Sequence, residues 1–117
     1  MKVEVFYFRG CPNHGLALQR VKEILKEEGV EADVVAINVP DLASALALRF
    51  LGSPTIQIDG LDVEPSARSS HHFGMTCRTY LDNGRRHGLP SCDAIRAAIR
   101  EAQVRNSTQV RRQGDAE

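Results

Sequence analysis

The sequence predicts a mixed α/β fold in which a four-stranded sheet carries helices on both faces. Three observations point there. Two strand-like runs, Lys2 to Phe8 and Glu31 to Val39, are each followed by a segment with apolar residues at helical spacing. Asp59-Gly60 separates two further strand-like runs, a two-residue hairpin signal. A last amphipathic helix opens at Ser91.

Taken in order, the first strand alternates Val3 and Val5 with charge and ends on the unbroken apolar run Phe6-Tyr7-Phe8. A strand end that is apolar on both faces suits the middle of a covered sheet. Gly10-Cys11-Pro12 stops it, and Pro12 fits the first turn of a helix, where its missing N–H costs nothing. Leu18, Val21, Ile24 and Leu25 share one helical face until Gly29 ends the run. After the second strand, Pro40-Asp41 starts a helix with Leu42, Ala45, Leu46, Ala47 and Phe50 as its apolar side, closed by Gly52. Residues 53–58 and 61–63 form the hairpin. The stretch from Glu64 to Pro90 reads as irregular, and a connection that long in a compact domain is functional or flexible. Ser91 is a good N-cap for a helix that places Ile95, Ala98, Ile99 and Ala102 on one face. The first two strands need a crossover and are expected to be parallel, and the hairpin antiparallel. The domain is therefore expected over residues 1–103, with residues 104–117 a polar, disordered tail.

The 117 residues contain 15 Lys+Arg and 15 Asp+Glu, so the formal charge is zero, which argues against nucleic acid or an anionic membrane as partner. Arg78, Arg85 and Arg86 are the only candidates for a local basic patch and read as a solvated loop. No apolar run approaches the roughly 20 residues of a membrane span, and residues 1–5 lack the pattern of a signal peptide. The expected location is cytoplasmic. Three cysteines are too few for a disulfide scaffold, so they read as reactive, metal-binding or buried.

Cys11 carries the chemistry. A thiol at a helix start meets unpaired N–H groups and the positive end of the helix dipole, and both favour thiolate. His14, three residues on, is placed either to lower the thiol pKa as imidazolium or to accept its proton as imidazole. The alternatives are an inert buried thiol and a solvated histidine. Cys77, in Gly74-Met75-Thr76-Cys77-Arg78-Thr79-Tyr80, lies in the long connection and can fold back over the sheet end that holds Cys11, with Arg78 beside it to stabilise a thiolate. Its alternative is a half-buried structural cysteine. Cys92 follows the Ser91 cap and reads more simply as a small buried residue. His71-His72 lacks the ligand spacing of a structural zinc site, and neither a metal nor a cofactor is expected. Asp59, Asp62 and Glu64 read as solvated turn residues.

The element order, with Gly10-Cys11-Pro12 after the first strand and Ser53-Pro54-Thr55 leading the third, resembles the thioredoxin superfamily. The segment from Gly74 to Tyr80 is similar to part of a group of small bacterial thioredoxin-like proteins, some labelled alkylmercury-lyase-like. The resemblance implies a cis Ser53–Pro54 bond facing the active-site turn, a catalytic role for the turn cysteine Cys11, and substrate contacts at Pro12, Asn13, Ser53, Pro54 and Thr55; His14 and Cys77 are expected to act with Cys11 on the chemistry given above. The chain departs from the family's Cys-x-x-Cys pattern because His14 stands where the second cysteine would be, so the turn cannot close a disulfide by itself. Three functions follow. One is thiol redox chemistry on a thiol or disulfide substrate, with Cys11 attacking and Cys77 resolving. The second is soft-metal or organomercurial binding by the two thiolates. The third is a non-catalytic interaction module.

Overall fold

The computed structural model describes the backbone of residues 1–115 and the side chains of residues 1–107. Strand β1 (Lys2–Tyr7) leads into helix α1 (His14–Glu27), strand β2 (Asp33–Asn38), helix α2 (Leu42–Ala47), strand β3 (Thr55–Ile58) and strand β4 (Leu61–Asp62). The sheet order is β2-β1-β3-β4. β1 runs parallel to β2 and antiparallel to β3, and β3 is antiparallel to β4. The apolar end of β1 thus belongs to an interior strand, as its pattern demands. Asp59 and Gly60 both take positive φ, 50° and 83°, the backbone that a tight two-residue hairpin needs.

Alternation along β1 divides the core. Val3 and Val5 pack with Ala17, Val21, Ile24 and Leu25 of α1 and with Ile95, Ala98 and Ile99 of the last helix. Phe6, pointing the other way, packs with Val39, Ala45 and Phe50. One face of the sheet is therefore covered by α1 and the last helix, the other by Ala45 of α2 together with Val39 and Phe50 from the segments that flank it. Burying apolar surface on both faces is the main stabilising term.

Four expectations are corrected. Helix α1 begins at His14 with Asn13 as its cap, so Pro12 lies before the helix rather than in its first turn. Helix α2 stops at Ala47 because Arg49 turns into positive φ, 57°, and this swings Phe50 into the core. The apolar side expected for that helix is only partly buried, with Leu42 56% and Leu46 53% exposed. Residues 64–90 are not irregular throughout. They hold a 3₁₀ turn (Pro65–Ala67) and a second hairpin, β5 (Tyr80–Asp82) with β6 (Arg85–His87), turned by Asn83 and Gly84 at φ 50° and 75°. Finally, helix α3 (Cys92–Asp115) runs past Gln103. Arg105 pairs with Glu101 one turn back, and Asn106 donates to Asp59. The expected tail is thus helical to Asp115, and residues 116–117 lie outside the described residues. Ser91 caps helix α3, its Oγ accepting from the Ala94 N–H at 3.0 Å. No helix among the described residues is long and apolar enough to cross a membrane.

Candidate functional site

Cys11 sits in the turn between β1 and α1. Its N–H donates to the Phe8 carbonyl at 3.2 Å, folding the turn back over the strand end. The residue is 6% exposed, and its thiol is free. Because α1 starts at His14, Cys11 precedes the helix rather than capping it. His14 stacks on Tyr7 with ring centroids 4.3 Å apart, and its Nδ1 lies 3.1 Å from the Cys11 carbonyl oxygen. The imidazole is thus paired with the cysteine's backbone and not with its sulfur. Pro12 is exposed and Asn13 half-buried, the latter against Gly88, where an added Cβ would stand 2.3 Å from Asn13 Nδ2.

Ser53 joins this turn to Cys77. Its Oγ accepts a hydrogen bond from the Phe8 N–H at 3.3 Å. On its backbone, the N–H donates to the Thr76 carbonyl at 2.9 Å and the carbonyl accepts from the Arg78 N–H at 3.0 Å. These two bonds bracket Cys77 in a parallel bridge to Ser53, which sets the two backbones about 4.8 Å apart. The approach requires Gly52, at φ 113°, since a Cβ there would stand 2.8 Å from the Thr76 carbonyl oxygen. Residues 74–80 therefore form a strap laid along the start of β3. The Ser53–Pro54 bond is cis, in agreement with what the resemblance implies. The strap also covers the residues expected to touch substrate: Ser53, Pro54 and Thr55 are all buried. Cys77 itself is exposed rather than half-buried, and Cys92 is exposed rather than tucked under the sheet.

The strap is held from beneath by an ion pair that sequence reasoning missed. Arg78 Nη1 and Nη2 reach Asp62 Oδ2 and Oδ1 at 2.6 and 2.8 Å, with the two side chains 5% and 4% exposed. Nη1 also donates to Thr55 Oγ1 at 3.3 Å, Glu64 stands 3.8 Å away, and the guanidinium lies 4.2 Å above the Tyr80 ring. Burial by itself works against the charged guanidinium, but the Asp62 carboxylate, with Tyr80 and Glu64, outweighs it and holds the Arg78 pKa above its ordinary value. Two readings are corrected here. Asp62 is not a solvated turn residue, and Arg78 is neither part of a solvated loop nor free to stabilise the Cys77 thiolate. One signal was available: Asp62 lies on the inward side of a two-residue strand, and an acid placed inward demands a cation.

Tyr80 completes the anchor, donating its hydroxyl to the Pro54 carbonyl at 2.5 Å. Burial pushes its pKa well above the ordinary value, with the Asp62 and Glu64 charges adding to the shift and Arg78 opposing it. The folded protein therefore keeps this proton to higher pH than the unfolded chain, where tyrosine titrates near about pH 10. The contribution is whole below that pH and declines above it, because only the unfolded chain then releases the proton. The expected slope from this group is about −1.4 kcal/mol per pH unit. Urea unfolding of Tyr80→Phe above about pH 10 should show a decline shallower than wild type by that amount, and equal slopes would assign the alkaline sensitivity to other groups.

His71 and His72 are both exposed. His71 Nδ1 lies 3.3 Å from Arg49, and Arg49 stacks over Phe73. Among the described residues no three His, Cys, Asp or Glu side chains gather as metal ligands. A cleft of about 530 Å³ opens beside the cysteine turn, lined by Phe8, Arg9, Asn38, Val39, Pro40 and Met75. It lies between the strand end that leads to Cys11 and the strap that carries Cys77. Compared with models of known protein families, with curated proteins and with solved structures, the chain matches none.

Proposed function

We propose that the chain is a thioredoxin-like thiol–disulfide protein whose working pair is Cys11 and Cys77. The observation that carries this reading is the double engagement of Ser53. Its hydroxyl holds the strand end on which the Cys11 turn closes, and its backbone brackets Cys77. The segments that carry the two cysteines, far apart in the chain, thereby meet at one residue. Further support comes from the sheet order β2-β1-β3-β4, with one cysteine after the first strand and a proline at the head of the third. The missing second cysteine of the turn is then supplied by the strap. In the reduced protein the pair delivers two electrons and two protons to a disulfide substrate, which leaves as two thiols while a Cys11–Cys77 bond forms.

The test is a disulfide map after mild oxidation of the dilute, reduced protein, with remaining thiols alkylated before trypsin digestion. The cysteines fall in separate peptides, 10–20, 69–78 and 87–96. The expected product links 10–20 to 69–78 and leaves Cys92 alkylated. Three alkylated peptides, or a link through Cys92, would sink the assignment and leave the strap face as a non-covalent binding surface.

A further inference from the structure

We infer that Cys77, and not Cys11, is the thiol that attacks the incoming disulfide, with Cys11 as the resolving cysteine. This rests on the pair proposed above and fixes the order in which its members react. The backbone N–H and carbonyl of Ser53, which an incoming chain would need in order to pair along the start of β3, are already bonded to Thr76 and Arg78. Ser53, Pro54 and Thr55 are buried beneath the strap. No external chain can lie along that edge while residues 76–78 occupy it. Cys11 is nearly enclosed, whereas Cys77 is exposed at the centre of the same segment. The residues around Cys77 are fixed from below, Arg78 by Asp62 and Tyr80 by the Pro54 carbonyl. The strap therefore presents one thiol at the surface on a hydrogen-bonded base, close in sequence to Met75, which lines the cleft.

The chemistry balances in two exchanges. The Cys77 thiolate attacks one sulfur of the substrate disulfide, forming a Cys77–substrate bond and expelling the first substrate thiolate, which takes up a proton. The Cys11 thiolate then attacks the Cys77 sulfur, forming Cys11–Cys77 and releasing the second substrate thiol. The substrate disulfide is reduced to two thiols, and the cysteine pair is oxidised.

Oxidised glutathione serves as the probe. The reduced wild-type protein is mixed with it, quenched in acid at short times, and mapped for the first mixed disulfide. A parallel series uses Cys11→Ser and Cys77→Ser, each combined with Cys92→Ser. Glutathione is expected first on Cys77, to persist there in Cys11→Ser, and to reach Cys11 about tenfold or more slowly in Cys77→Ser. Should Cys11→Ser fold poorly, the wild-type time course alone decides the order. Glutathione appearing first on Cys11, followed by a Cys11–Cys77 bond, overturns the order and leaves the pair intact. Absence of any Cys11–Cys77 bond in wild type overturns both.

Discussion

Replacing Asp62 with alanine is expected to lower the free energy of unfolding by about 3–5 kcal/mol, the range seen when one partner of a buried ion pair is removed. The loss comes mainly from what remains. Arg78 would stay buried with a charge and no bidentate acceptor, and Glu64 at 3.8 Å is a poor substitute. Asp62→Asn, which keeps an acceptor oxygen, should cost less. The double variant Asp62→Ala with Arg78→Met, which removes both charges, should recover much of the deficit, because an apolar pair avoids the desolvation of two ions. Urea unfolding of wild type, Asp62→Ala, Arg78→Met and the double variant tests this as a double-mutant cycle, with Asp62→Asn measured alongside. A deficit below about 1 kcal/mol for Asp62→Ala, the size expected of an exposed pair, would show that the pair does not anchor the strap. The same variant should loosen Cys77 from Ser53, and faster hydrogen exchange at the Arg78 N–H would report it.

Oxidation of the Cys11–Cys77 pair is expected to stabilise the fold by up to about 4 kcal/mol. The bond would close a loop from residue 11 to residue 77, and the chain-entropy model assigns a closure of that length roughly this much. The gain is an upper bound, since Cys11 is enclosed and Cys77 faces outward, so bond formation needs the turn or the strap to shift. Strain in the bridged form subtracts from the gain and makes the bond easier to reduce. Comparing the urea midpoints of oxidised and reduced protein measures the balance, with Cys77→Ser as the control that should not respond to oxidant. A gain near the full value would describe a structural cross-link. A gain close to zero, with the bond still formed, would describe a strained and reversible redox pair. Lower stability in the oxidised form would contradict the expectation outright.

The alternation of Val3 and Val5 against Phe6 was legible because a strand has period two and its core lies on fixed sides. The Asp59-Gly60 hairpin was legible because its turn needs positive φ at both central residues. Asn83-Gly84 carries the same signal between β5 and β6. It does not stand out there because the flanking strands are three residues each, too short to show alternation. The limits of α2 are not legible in the sequence, because apolar content alone does not separate a helical face from a loop that delivers one large residue, Phe50, to the core.

What the sequence by itself determined was local: strand and helix order, the hairpin, the Ser91 cap and a cysteine in the turn after β1. Each depends on residues within a few positions of one another. The tertiary structure alone decided which partners those residues meet. Asp62 and Arg78 look like two surface charges until the strap carries one over the other. His14 looks like a partner for the thiol until stacking on Tyr7 turns its Nδ1 toward the Cys11 carbonyl. Cys77 is paired with Ser53 through backbone hydrogen bonds, which any residue can make, so the identity of its partner is not written in the residues around it.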